Sequence, residues 1–207
     1  MPNTNIEPKT TIGVDMYTIF KIEEDTSTGT VYADALHVPG TVQIAPTDSG
    51  GTNPLDADNK AFEIDTYIES MGHELTNVDI PPAVETVIRG LTLKDGGVEY
   101  DKNTPSKAPH CGVAWRILKS NGHYRLVRYY KGKYAFASNV GGQTRPSQGA
   151  PEHQTATATY AAVPRDSDDK IYYYLDTDNL PEGVSEAEAI ENWFTDLNWY
   201  PSTEVGA

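Results

Sequence analysis

Gly112–Ser138 reads GVAWRILKSNGHYRLVRYYKGKYAFAS, and its pattern decides the fold class. Val113, Trp115 and Ile117 alternate with Ala114, Arg116 and Leu118, the period of two that a strand imposes. Asn121-Gly122 follows. Asn-Gly is the preferred pair for a two-residue hairpin turn, because both central positions take positive φ. Tyr124–Lys131 reads as the returning strand, with Val127, Tyr129 and Tyr130 supplying β-branched and aromatic bulk. Gly132 breaks it and Lys133–Ala137 resumes an extended pattern. The stretch therefore predicts a three-strand meander, the spine of a β-rich domain.

The spine holds six of the sixteen basic side chains: Arg116, Lys119, Arg125, Arg128, Lys131 and Lys133. The chain as a whole has a net charge of −14. A basic sheet in an acidic protein wants an acidic partner. Three readings stand side by side: a solvated face balanced by acids elsewhere in the chain, a face that meets the acidic face of another copy, and a nucleic-acid surface. The last lacks the overall basic balance that neutralising phosphates requires.

At 207 residues the chain has the length of one domain and can bury a sizeable core without cross-links. Seventeen Gly, fourteen Pro and thirteen Tyr suit many short strands joined by turns. The single cysteine, Cys111, rules out an internal disulfide framework and suits a reducing compartment. Residues 1–10 have the composition of a flexible arm or an edge strand, not of a signal peptide, and residues 202–207 that of a frayed end. No apolar run approaches the eighteen or so residues of a membrane-spanning helix.

Along the chain, Ile12–Ile22 reads as a strand and Thr30–Val38 as its partner, with Thr41–Ala45 a further short strand. Pro46–Lys60 (PTDSGGTNPLDADNK) is polar and aperiodic, a long loop with a negative tip at Asp48, Asp56 and Asp58. Loops this long are uncommon in compact domains. Ala61–Ile68 alternates, with Phe62, Ile64 and Ile68 on one face, and Gly72–Asp79 reads as an antiparallel return. Pro81-Pro82 opens a short helix carrying Val84, Val87, Ile88 and Leu91, which Gly90 ends. Thr92–Pro109 and Asn139–Pro151 read as turn-rich connections. In His153–Val163 small residues alternate, which fits a strand pressed close to another layer or copy, or a plain edge strand. Lys170–Asp176 is the last strand. Ser185-Glu186-Ala187-Glu188 is a capping box, and the apolar stripe Ala187, Ile190, Phe194 and Leu197 carries a helix over 185–197.

Motifs of chemistry are missing. His37, His73, His110, His123 and His153 stand in no metal-ligand frame, and His110-Cys111 lacks zinc spacing. Asp56-Ala57-Asp58-Asn59 resembles the opening of a calcium loop without its glycine or distal glutamate. Phosphate loops, dinucleotide fingerprints and nucleophile elbows have no counterpart. No catalytic residue, cofactor or metal site is expected. The profile is that of a structural or binding protein.

Ile117–Ala135 (ILKSNGHYRLVRYYKGKYA) resembles the K-S-N-G-x-Y-R-x-V-x-x-Y-K-G motif of the major tail proteins of long-tailed phages of Gram-positive bacteria. His153–Asp166 (HQTATATYAAVPRD) is similar to that family's Q-T…P-R-D segment, and Glu191–Asp196 (ENWFTD) to its terminal helix. The resemblance spans roughly residues 10–200 and is poor over 46–60 and 92–110. It implies one domain over residues 1–207, an antiparallel β-sandwich or barrel of the tail-tube type with a flanking short helix and a C-terminal helix. It also implies six-membered rings stacked head to tail as the conduit for DNA, in a virion tail assembled in the host cytoplasm. The partners implied are further copies, the tape measure, tail terminator and distal tail proteins, and DNA only in transit, with no membrane. A long early loop would bridge rings, which makes Asp48, Asn53, Asp56, Asp58 and Lys60 the stacking candidates. Arg116, Lys119, Arg125, Arg128 and Lys131 are the candidates for an intersubunit basic face. The alternative from another class is a carbohydrate-binding β-sandwich using exposed Trp and Tyr, with Trp115 and Trp199 in view. A hydrolase with paired carboxylates finds no supporting spacing.

Overall fold

The computed structural model describes residues 8–57, 59–135, 141–147, 149–150 and 152–201. The expected loose ends over 1–7 and 202–207 lie outside the described residues, as do Asp58 and the end of the expected third meander strand. Thr10 is already part of the sheet, its carbonyl accepting from the Ser120 N–H at 2.8 Å.

The central hairpin joins β9 (Cys111–Lys119) to β10 (Tyr124–Tyr134). Its turn has three residues, not two. The Gly122 N–H donates to the Lys119 carbonyl at 3.0 Å, and the Lys119 N–H to the His123 carbonyl at 2.8 Å. Gly122 takes φ of 85° while Asn121 stays out of the left-handed region, the form in which a left-handed residue follows the turn. The two-residue left-handed turn is elsewhere. Asp95 and Gly96, with φ of 50° and 81°, join β7 (Thr92–Lys94) to β8 (Gly97–Glu99). In the same stretch, read from sequence as turns alone, Thr104–Lys107 winds one turn of helix, α2.

Gly132 does not interrupt β10, and no third meander strand forms among the described residues. A Cβ at Gly132 would stand 2.4 Å from the Ala161 carbonyl oxygen and 2.4 Å from the Tyr160 ring, so glycine is what lets the neighbouring strand approach. β10 forks here. Its first half pairs with β12 (Tyr172–Asp176) and its end with β11 (Ala156–Ala162). β11 is therefore not an edge strand: it lies between β10 and β6 (Lys60–Asn77). β6 corrects a second expectation, for it is one strand of 18 residues with no reversal before Gly72. A Cβ on Gly72 would come within 2.1 Å of the Tyr160 carbonyl oxygen. Both glycines mark close approach of backbones, not ends of strands.

Ten strands make one antiparallel sheet. Its main order is β2 (Gly29–Tyr32), β1 (Thr11–Thr26), β9, β10, β11, β6, β4 (Thr41–Pro46). The expected partner of β1 over 30–38 splits in two: β2 pairs with Ile22–Thr26, and β3 (Leu36–His37) with Thr18 and Ile19. The molecule is mainly β, with few helices. The sheet curls until β4 comes back against β1.

Both faces of the central strands are covered, which explains the unbroken burial of Tyr17–Phe20 and Cys111–Trp115. On the concave face Tyr17, Val113, Trp115, Tyr129, Tyr134 and Tyr160 pack with Val84 and Ile88 of α1 (Pro82–Arg89). Gly90 ends α1 in the left-handed conformation at φ 64°. On the other face Phe20, Ala114, Leu126 and Tyr130 pack with Trp193 of α3 (Glu186–Trp193). Ser185 caps α3, its Oγ accepting from the Glu188 N–H at 3.2 Å. α3 is shorter than the expected 185–197. Phe194 and Leu197 reach the same core from the turns that follow.

A polar chain crosses the concave core. The Tyr17 hydroxyl lies 2.6 Å from His73 Nε2 and 2.7 Å from the Tyr134 hydroxyl. His73 is fully buried among the rings of Trp115, Tyr129 and Tyr160. Burial pulls its pKa from 6.5 down to about 3, so the imidazole is held neutral. Between those values the unfolded chain takes up a proton that the folded chain refuses. Stability from this residue is complete above about pH 6.5 and is lost as pH falls towards 3. Denaturant midpoints measured between pH 7 and 4.5 should fall in the native protein and fall less in His73→Phe. Parallel curves would assign the loss to other groups.

Candidate assembly surface

The segment expected as a loop over 46–60 is a strand, β5 (Ser49–Ala57), paired with the first half of β6. Its composition, SGGTNPLDA, has little strand propensity of its own. The alternating Lys60–Ser70 segment templates it. Asn59, at φ 62°, sits in the turn, and Ala57 faces Lys60. Pro54 sits where only an edge strand tolerates proline. Gly50 is required, because a Cβ there would be 2.5 Å from the Tyr67 carbonyl oxygen, while the Tyr67 ring lies across Gly51. At the root, the Gly72 N–H donates to Asp48 Oδ1 at 3.0 Å and the Thr47 N–H to the Gly72 carbonyl at 3.0 Å.

This two-stranded arm has unlike faces. Ile64, Thr66 and Ile68 share one, opposite Pro54, Thr52 and Gly50, with Phe62 at the bulge beyond Ile64. Glu63, Asp65 and Tyr67 share the other, opposite Leu55, Asn53 and Gly51. Phe62, Ile64 and Ile68 are 70%, 60% and 68% exposed. Of the five stacking candidates, Asp48 is at the root, Asn53 mid-arm opposite Asp65, and Asp56 and Lys60 near the tip. Asp58 lies outside the described residues, and nothing is described of the Asp56 side chain. The apolar row is the feature that the polar reading of this segment passed over, although Ala61–Ile68 shows it by alternation.

The basic candidates do not form one outward face. Arg116 lies opposite Leu126 and Arg128 opposite Ala114, on the α3 side, whereas Arg125 lies opposite Ile117 and Asp176 on the other side. Each has a partner within the chain. Arg116 forks onto Asp15 at 2.7 and 3.0 Å, and Arg125 onto Asp176 at 2.7 and 2.9 Å. Lys119 Nζ is 2.9 Å from both Asp178 oxygens, and Lys131 Nζ lies 2.6 Å from Asp25 and 2.9 Å from Asp166. Hydrogen bonds from Arg125, then from Lys119, hold the Asp176 carboxyl below its usual range. Four of the five candidates, Arg116, Lys119, Arg125 and Lys131, therefore pair with acids of their own chain.

Arg128 departs furthest from expectation. Its side chain is fully buried, and its guanidinium stands 4.4 Å from the Trp193 ring centroid, 4.6 Å from Tyr200, and 5.1 Å from Tyr130 and from Tyr173. Nη1 donates to the Trp199 carbonyl at 2.7 Å, and among the described residues no carboxylate pairs with it. The ring faces offset its desolvation. Next to it Arg165 stacks on Tyr130 at 4.1 Å, forks onto Asp168 and donates to Asn198 Oδ1 at 2.9 Å.

Other chemistry is sparse. Cys111 is buried and its thiol pKa is pushed up to about 12 by that burial, which leaves it a poor nucleophile. Among the described residues no three His, Cys, Asp or Glu side chains are grouped to hold a metal, and no helix is long and apolar enough to cross a membrane. Trp115 is 4% exposed and belongs to the core, so it offers no sugar platform. No protein-family model matches the chain, and no curated protein matches it in sequence.

Arg125 and Arg128 should separate under charge reversal. Arg128→Glu removes the cation from a closed ring cage and should cost roughly 3–5 kcal/mol. Arg125→Glu, at a half-exposed pair, should leave the fold nearly intact. Urea midpoints of the two variants decide this, and equal midpoints would contradict the buried cage.

Proposed function

We propose that the chain is a structural subunit that assembles with copies of itself into rings and stacked rings, as a tail-tube protein does. The observation that carries this reading is the arm. A two-stranded ribbon alone is marginal in water, and this one holds Phe62, Ile64 and Ile68 out to solvent along one face. A row of exposed large apolar side chains of this kind marks a surface that another polypeptide covers. The acidic face, with Glu63, Asp65 and Glu69, stays in water.

The tail-tube form of that assembly comes from the three ordered motifs, which lie in β9–β10, in β11 with its following turn, and in α3. On that reading the working location is a virion tail built in the host cytoplasm. The tape measure, terminator and distal tail proteins are the heterologous partners, and DNA is a passenger. The role is structural and not catalytic.

Concentrated protein should form rings or tubes of uniform bore in negative-stain micrographs. Phe62→Asp with Ile64→Asp should abolish them and change monomer stability by less than about 1 kcal/mol, because both positions are already exposed. Native protein that stays monomeric at millimolar concentration, or a doubly substituted protein that assembles normally, would end the proposal.

A further inference from the structure

The tip of the central hairpin carries a chemistry that neither the fold nor the assembly reading uses. Asn121-Gly122 is the one Asn-Gly step in the chain. Both residues are exposed, and the position a Cβ would take at Gly122 meets nothing within 4 Å. Without a Cβ, the nitrogen that follows the asparagine is unshielded. Once that nitrogen gives up its proton to water or hydroxide, it can attack Asn121 Cγ. The new N–C bond closes a cyclic succinimide, the bond from Cγ to Nδ2 breaks, and Nδ2 leaves as ammonia. Water then opens the ring at either carbonyl. The product is aspartate or isoaspartate, the latter with the backbone routed through the side-chain carbon. Asparagine and water have become an acid and ammonia, with no oxidant consumed.

The folded turn holds each reacting group off this path. The Gly122 N–H, which has to be lost, donates to the Lys119 carbonyl at 3.0 Å. Nδ2, which has to leave, donates to Asp178 Oδ2 at 2.9 Å, and Asn121 Oδ1 accepts from the His123 N–H at 3.3 Å. Asp178 is itself fixed, because Lys119 Nζ lies 2.9 Å from both of its oxygens and that lysine is only 7% exposed. Burial raises the Asp178 pKa, but hydrogen bonds from Lys119 and then from Asn121 outweigh it and hold the carboxyl below its usual range.

We propose that Asn121 is a self-modification site, held unreacted by the Asn121–Asp178–Lys119 latch and released to deamidate when the hairpin tip opens. The change does not reverse. A carboxylate at 121 stands where Nδ2 now meets Asp178, and it crowds a lysine that already serves Asp178 and, at 3.2 Å, Asp176. Isoaspartate also lengthens the backbone inside the turn that the Lys119 N–H closes onto the His123 carbonyl. A chain that has opened is thereby marked.

Peptide mapping by mass spectrometry, with isoaspartate methyltransferase to reveal the isomer, follows the reaction in mildly alkaline buffer. In guanidinium chloride the unfolded chain should convert Asn121 ahead of every other asparagine. The native chain should convert it roughly tenfold more slowly or slower still, the protection of a tip whose opening costs about 1.4 kcal/mol. Asp178→Ala should speed the reaction of the folded chain several-fold. Asp176→Ala takes a carboxylate from the same lysine without touching Asn121 and should not. Another asparagine reacting first in the unfolded chain overturns the site. A native rate equal to the unfolded one, or equal rates in the two variants, overturns the latch. Circular dichroism shows whether Asp178→Ala is folded. If it is not, the product mimic decides: Asn121→Asp should lower the urea midpoint, and adding Asp178→Asn, which restores a donor facing an acceptor, should recover it. An unchanged midpoint in Asn121→Asp, or no recovery in the double variant, overturns the latch.

Discussion

A sheet buried on both faces is the constraint from which the rest of this molecule follows. At the crossing of β1, β9 and β10 every side chain from Tyr17 to Phe20 and from Cys111 to Trp115 is buried. No side of the sheet can be given to water there, so a layer must stand on each face. One layer is the same sheet curled back through β11, β6 and β4; the other is α3. Curling brings backbone onto backbone, and glycines sit where that happens. At Gly112 a Cβ would lie 2.8 Å from the Tyr130 carbonyl oxygen, and Gly132 and Gly72 meet the strand beside them more closely still. Large rings fill the space that remains, with Trp115 and Tyr129 stacked at 5.7 Å and His73 between them and Tyr160.

The same constraint explains the buried arginine. Arg128 points into the layer under α3, where four aromatic rings and one carbonyl surround its charge and, among the described residues, no carboxylate reaches it. Around it the chain is tied together from distant parts. Asp25 and Asp166 share Lys131, Asn198 bridges Arg165 and the Thr30 carbonyl, and the Thr30 hydroxyl meets Ser167. The three segments that resemble tail proteins, Ile117–Ala135, His153–Asp166 and Glu191–Asp196, bring Tyr129–Gly132, Pro164–Asp166 and Trp193 to this place. What they encode in this chain is the seating of α3 on the sheet.

Local signals made part of this legible. Alternation found the central hairpin, β1 and β12. The Ser185 cap found the start of α3, and Pro81-Pro82 with Gly90 bounded α1. What escaped was non-local. Gly72 and Gly132 read as breaks because nothing adjacent to them reveals a strand pressing from the side. Ser49–Ala57 read as a loop because its residues are poor strand formers, and only pairing with Lys60–Ser70 makes it extended. The apolar row of Ile64 and Ile68 was visible as alternation, but that it faces water and not a core depends on how far β6 runs past its neighbours. The cations of the spine looked like one surface because their acid partners, Asp15, Asp25, Asp166, Asp176 and Asp178, lie far off in the chain.

That last point changes what drives association. A net charge of −14, with Arg116, Lys119, Arg125 and Lys131 already paired inside the chain, leaves an exterior on which two copies repel each other. At physiological salt the repulsion is screened beyond roughly 8 Å, so it opposes the final approach more than the encounter. On the self-assembly reading proposed above, apolar contact and strand pairing along the arm supply the attraction. Both are short-ranged and act only in register. Repulsion at every other orientation then helps select that register. The acidity of the chain, which by itself argues against association, narrows the ways in which copies can meet.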